Sequence, residues 1–336
     1  MSHPEVDPLA RLLSDARLAA PDQLPALVAT AAAALGARTT TVYVTDYAQQ
    51  VLVPVGRGER EVLSVDATVG GRAFRHVEII TLETGDGRVV WVPLLDGVER
   101  LGVVRFSAAP GLAPPVRRLA DLAGLAAELL VSKQQYGDGL RMVRRREPMQ
   151  LPAELQWQLL PPLTFGSDRV VISAILEPSY EIGGDSFDYA VNGDVAHVAV
   201  FDAMGHGLEA SLLSTVAIGA YRNARRTGLD LLDVHRAIDT VIGLQFGPDR
   251  FVTGVLADLD VVTGAMTLIA AGHAGRCCCA AGRSSSTSRR RRRFRSAWAT
   301  APSRPPRSTC SRVTGCCCTP TASSRHGTST ASSSGS

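Results

Sequence analysis

Cysteine is missing from the first 276 residues. All seven cysteines lie at or after Cys277, three of them in a row inside GHAGRCCCAAGRSSSTSRRRRR, which begins at Gly272. A body without cysteine fits a reducing compartment. Long apolar runs are missing too: no stretch approaches the roughly 18 apolar residues of a membrane helix. The polar start MSHPEVDP is not a signal peptide, so the expectation is a cytoplasmic protein with no membrane partner. Acidic residues and lysine are absent from 275–336, where twelve arginines stand. Removing those twelve from the 35 basic residues leaves 23 against 32 acidic ones, about −9 for residues 1–274, although the whole chain reads +3. A nucleic-acid surface argued from overall charge would rest on the tail alone, and no nucleic-acid partner is expected.

What is present begins with LPALVATAAAALG (24–36), which predicts a helix ending at Gly36 with Leu27, Ala31 and Leu35 on one face. Six β-rich runs follow: TTTVYVTD, QQVLVPV, EVLSV, VEIITLE, RVVWVPLL and ERLGVVRF. Gly- and Asp-containing turns separate them, with one helical piece at VGGRAFR. VRRLADLAGLAAELLVSK closes the series as a helix carrying Leu119, Leu122, Leu125 and Leu129 at helical spacing. The order predicts an α+β domain, an antiparallel sheet with helices on one side. ALGARTTTVYVTD, TVGGRAF and VVWVPLLDGVERLGVVRF resemble a GAF sensor domain, assigned here to residues 1–130. The resemblance implies a small-molecule ligand of unknown identity. No cysteine is there to attach a bilin, and His76 alone reads as a surface residue rather than a haem ligand. Residues 131–150 read as a linker helix region, and PAELQWQLLPPL as a short helix stopped by Pro161. With Leu155, Leu159 and Leu160 it could relay a signal or simply pack on the next domain.

The chemistry is expected in EIGGDSFDYAVNGDVAHVAVFDAMGHG (181–207). VVISAILE, DSFDYAV and VAHVAVFD are strand-like, and Asn192-Gly193 between the last two signals a hairpin. A loop made of those two residues sets Val191 against Asp194 and Asp185 against Val200. Asp202 then lies two residues further on, diagonal to Asp185 and on the same face, with α-carbons roughly 7–8 Å apart. Asp188 has the opposite parity and should face away, opposite His197. Two carboxylates on one face suit one or two hard divalent ions, with a backbone carbonyl such as that of Ala203 as a further oxygen donor. A solvated surface pair is the alternative. Gly183-Gly184 and Gly205, Gly207 flank the site and allow close approach or sharp turns.

LQWQLLPP, EIGGDSFDY, FDAMGHG, RFVTGVLADLD and AAGH, in that order over residues 155–273, resemble the SpoIIE-like (RsbU-like) bacterial branch of the PPM serine/threonine phosphatases. The resemblance implies a PPM-type β-sandwich flanked by helices, incomplete here, over residues 151–274. It implies two Mn²⁺ or Mg²⁺ ions held by Asp185, Asp202 and the Ala203 carbonyl, and direct hydrolysis of phosphoserine or phosphothreonine by a metal-activated water. Phosphorylated STAS-domain anti-sigma-factor antagonists are the implied partners, with homodimerisation left open. His206 and His273 read as a helix-start and a turn residue respectively.

After AGH the resemblance implies leucine-rich strands, a PLGL motif and a T-D-G with a third metal aspartate, none of which is written in the chain. Cysteine codons read from their third base give leucine. RRFRSAWATA can then give ALPLGLGDR, and VTGCCCTPTASS can give DRLLLHTDGVV, with the third aspartate across Pro320 and Thr321. Residues 275–336 therefore read as out of frame and not expected to fold. Zinc ligands are spaced rather than adjacent, which argues against a cysteine metal site. A catalytically impaired sensor or scaffold is the alternative function.

Overall fold

The structure is a computed structural model. It describes residues 7–56, 61–177, 179–180 and 183–272, and the backbone of four short strands between 277 and 317. Two compact units divide it: Met1–Glu154 with Pro162–Glu181, and Leu155–Pro161 with Ile182–Ser336.

The first unit opens with helices α1 (Pro8–Ala16) and α2 (Leu24–Ala34), then strands β1 (Thr39–Thr45), β2 (Val51–Val55) and β3 (Leu63–Ser64). Helix α3 (Val69–His76) leads to β4 (Ile80–Thr84), β5 (Gly87–Asp96) and β6 (Glu99–Ala108). Helices α4 (Val116–Lys133) and α5 (Gly139–Arg144) follow. The unit boundary falls within α6 (Leu151–Leu159), after which β7 (Thr164–Gly166) and β8 (Val171–Ser173) return to the first unit. The sheet runs β3-β2-β1-β6-β5-β4, antiparallel throughout, so the α+β class and all six expected β runs are present.

Period-two alternation builds two cores from one sheet. Val42, Val90, Val92, Leu94, Val104 and Phe106 face one side, where they pack with α1, α2 and α4. Leu119 and Leu122 of α4 are fully buried there, and Leu27, Leu35, Leu125 and Leu129 pack at its margin. Gly36, at φ 91°, ends α2 as expected. Tyr43, Leu52, Trp91 and Val103 face the other side with Ala73 and Phe74 of α3. Helices therefore cover both faces, correcting the one-sided arrangement expected from the sequence. The small helix is amphipathic enough to seal the second face: Thr68 caps it by accepting from the Gly71 amide at 3.0 Å.

The connector is anchored to its own unit. Arg144 in α5 donates to the Thr45 carbonyl at 3.0 Å, and its guanidinium lies 4.7 Å from the Tyr47 ring centroid. Burial pulls its pKa below the usual arginine range, opposed by Tyr47 and Glu99. The expected strand VVISAILE is reduced to β8, paired only with β7; Val171 and Ile175 are exposed, so no core holds a longer strand.

In the second unit, β9 (Asp185–Asn192) and β10 (Val195–Ala203) are followed by helices α7 (Gly207–Arg226) and α8 (Leu231–Phe246). Strands β11 (Val252–Asp260) and β12 (Met266–Ala271) come next. The described tail strands are β13 (Cys277–Ala280), β14 (Arg283–Ser284), β15 (Ser308–Cys310) and β16 (Gly315–Cys317). The main sheet runs β15-β12-β11-β10-β9, and β14-β13-β16 form a separate three-stranded sheet. Ala199, Phe201, Val252 and Leu256 face the helical layer, packing with Leu213, Ile218, Tyr221, Ile238 and Ile242. The opposite face carries its own cluster, Val255, Ala257, Met266 and Leu268. A sheet with a helical layer is thus present as a partial version of the expected sandwich. The remaining residues of 275–336, with His273, lie outside the described residues.

Candidate metal centre

The β9–β10 hairpin pairs Asn192 with Val195 and Asp185 with Asp202. Its loop is therefore Gly193-Asp194, not the expected Asn192-Gly193. Gly193 has φ 58°, while neither Asn192 nor Asp194 has positive φ, so the glycine takes the first loop position, as a II′-type turn requires. The turn type moves the register by two residues. A shift of two keeps every side chain on its face. Asp185 and Asp202 still share a face, but directly across the ladder rather than diagonally.

The direct pairing brings them closer than expected. The Ala203 amide donates to the Gly184 carbonyl at 3.2 Å, which makes Ala203 and Gly184 a hydrogen-bonded pair and Asp202 with Asp185 the adjacent non-hydrogen-bonded one. Pairs of that kind have α-carbons about 4.5 Å apart. Like charges directly opposite destabilise a ladder, and a cation between them relieves the repulsion. Both aspartates are half-buried.

Gly184 provides a second constraint. A β-carbon there would lie 2.3 Å from the Ala203 carbonyl oxygen, a distance no side chain tolerates. The glycine therefore permits the close approach of the two strands beside the two carboxylates. Three hard oxygen donors of this kind suit Mn²⁺ or Mg²⁺, which prefer oxygen ligands. As a donor set they are few: among the described residues no group of three or more His, Cys, Asp or Glu side chains forms a metal-ligand cluster. Gly205 and Gly207, at φ 97° and 71°, turn the chain from β10 into α7. His206 stands exposed at the N-cap position of α7, and His76 is exposed at the end of α3.

Asp188 does face the helices, as parity required, but opposite Ala199 instead of His197, another effect of the two-residue shift. It is 1% exposed. Arg222 donates to its Oδ1 through Nε at 3.0 Å and a terminal nitrogen at 2.6 Å, and Arg225 to its Oδ2 at 3.0 Å. The same terminal nitrogen of Arg222 reaches the Leu159 carbonyl at 2.8 Å, tying the end of α6 to β9. Sequence reading missed this clamp. Its trace was there: Arg222 and Arg225 stand three apart on the helix face that also carries Ile218 and Tyr221. Burial pushes the Tyr221 hydroxyl up to about 12, with the nearby Asp188 adding to the rise and Arg225 opposing it.

Residues 192–288 match the family described as Stage II sporulation protein E (SpoIIE). The match lies within the second unit, and that segment is similar to the SpoIIE family. It includes Asp202 and Ala203 and begins just after Asp185 on the same hairpin. No curated protein matches the chain significantly. Among solved structures, the RsbU and RsbW domains of a Mycobacterium tuberculosis protein are 28% identical, with a TM-score of 0.27. That match covers 29% of this chain and 27% of the other, so the chain spans about a quarter of that structure's length. The second GAF domain of DevS from Mycobacterium smegmatis is 27% identical over 36% of this chain and 99% of its own, with a TM-score of 0.29. The GAF domain of an Acinetobacter phosphoenolpyruvate-protein phosphotransferase is 15% identical, with a TM-score of 0.35, covering 41% of this chain and 98% of its own.

Proposed function

We propose that the SpoIIE-family unit is a metal-dependent phosphatase for phosphoserine or phosphothreonine, controlled by a GAF-like sensor in the first unit. Asp185, Asp202 and the Ala203 carbonyl would hold Mn²⁺ or Mg²⁺. The observation that carries the reading is the direct opposition of two carboxylates across the hairpin, next to the close approach of Gly184 to the Ala203 carbonyl. Bound divalent ions supply a water of lowered pKa and neutralise phosphoryl charge. The chain's own part is to keep the carboxylates on one rigid hairpin, with Asp188 turned away into the helical layer. A phosphorylated STAS-domain antagonist of an anti-sigma factor is the proposed substrate, and the cytoplasm the proposed site of action.

A second reading, an impaired sensor or scaffold, draws support from the donor set itself. Two carboxylates and one carbonyl are few for two ions, and no third acidic ligand joins them among the described residues. Expressing the chain as written beside a version with its frame restored between Gly272 and Cys277 separates the two. The phosphatase reading expects Mn²⁺-dependent phosphate release from a phosphorylated STAS protein, much faster in the restored version. Absence of release from both versions rejects the phosphatase reading. Sequencing codons 272–277 in the source DNA decides which version the cell makes.

A further inference from the structure

A recess of about 400 Å³ opens on the first unit, where the end of β6 meets the start of β1 and the β4–β5 turn. Its lining includes Arg38, Arg88, Arg105, Thr39, Ser107 and Asp86. Strand parity places Thr39, Arg105 and Ser107 on the sheet face that also carries Tyr43 and Trp91. Gly87 also lines the recess, at φ 121°, and a β-carbon there would lie 2.1 Å from the Ala108 carbonyl, so no side chain can fill that part of the wall.

The charges are unevenly matched. Arg88 already has a counter-ion in Glu83, at 2.5 Å. Arg38 and Arg105 have no carboxylate within ion-pair distance among the described residues. Arg105 is half-buried, with its guanidinium 5.9 Å from the Trp91 ring centroid. A half-buried cation without a counter-ion favours an anion from solution. The Thr39 and Ser107 hydroxyls, bonded to each other at 2.5 Å, add polar groups to the same wall. Residues 1–274 carry a net charge of about −9, so a cation-rich recess stands out against the rest of the body.

We infer that this recess binds a small oxyanion-bearing metabolite, a carboxylate or phosphate ester, through the Arg38 and Arg105 guanidinia. Guanidinium forks match both oxyanions in geometry. Asp86, the one acid in the lining, repels a bare anion and receives a hydroxyl or amino donor from a fuller ligand. The inference names the ligand chemistry of the proposed sensor, but it stands on the recess and not on the phosphatase reading. Failure of either leaves the other intact, because the Arg38 and Asp86 variants tie the response to the first unit.

The full chain is titrated with inorganic phosphate, and separately with acetate, at constant ionic strength set by NaCl, following thermal midpoint and tryptophan fluorescence. A saturable rise in midpoint is expected with at least one of the two, and the stronger identifies the oxyanion. Arg38→Ala should weaken binding about tenfold, the loss of one charge-assisted contact. Asp86→Asn should tighten it by removing repulsion, and Arg105→Lys should retain part of it. Arg38 is exposed, so its variant tests binding without threatening the fold. No saturable response to either anion, or a response unchanged in Arg38→Ala and Asp86→Asn, overturns the inference.

Discussion

Asp188→Asn and Asp202→Asn remove the same charge from neighbouring strands, and their effects should differ in kind. Asp188 is 1% exposed and accepts three bonds of 2.6–3.0 Å from two arginines. Breaking a buried ion pair costs about 3–5 kcal/mol, and asparagine, which keeps one acceptor oxygen, should fall near the lower figure. For a unit of this size that lowers the melting temperature by on the order of 10 °C. Asp202 is half-buried and faces Asp185, so neutralising it relieves repulsion and leaves metal-free stability nearly unchanged. What it should remove is the stabilisation by Mn²⁺, about 2.7 kcal/mol at a hundredfold excess over the dissociation constant. Thermal denaturation of both variants with and without Mn²⁺ reads both quantities. The reasoning fails if Asp202→Asn still gains the full Mn²⁺ shift, or if Asp188→Asn melts like the parent while losing that shift.

Two further outcomes test the packing. Leu122 is fully buried between α4 and the first sheet, so Leu122→Ala should cost about 2–5 kcal/mol in urea unfolding of the first unit while leaving Mn²⁺ binding alone. His235 in α8 has its pKa lowered, first by burial and then by Arg236. The folded state therefore holds its proton less tightly than the unfolded chain. Stability is full above the unfolded value near 6.5 and is lost as pH falls through the depressed folded value. Melting temperatures from pH 7.5 to 5 should decline, and the decline should flatten in His235→Asn; an identical slope in both would refute the assignment.

Much of the fold was legible where alternation and helical spacing had a core to answer to. The central runs of the first sheet, β1, β5 and β6, form because each alternates between two packed faces, and α4 buries the leucines that marked it. VVISAILE had the same look, yet Ile175 finds no neighbour to cover it and the strand stops at Ser173. In the candidate site, the shared face of Asp185 and Asp202 was correctly read from parity, although the loop was placed one residue early. Turn type is set by φ at single positions, which an Asn-Gly-Asp run leaves ambiguous, and only a shift of one residue would have exposed the error by inverting the faces. The clamp on Asp188 was hidden for a different reason. Nothing local in YRNARR says which strand lies beneath it, because that depends on how α7 crosses the sheet.

The contact between Gly184 and Ala203 also sets how this hairpin can change over generations. Every single-base change in a glycine codon that alters the residue introduces a β-carbon, and each would meet the Ala203 oxygen at 2.3 Å. Gly183, its neighbour, has open space around the same position. Two adjacent and identical letters therefore have opposite freedom to drift. A saturation library of the hairpin, sorted for folded and Mn²⁺-responsive protein, should return many residues at position 183 and glycine alone at 184.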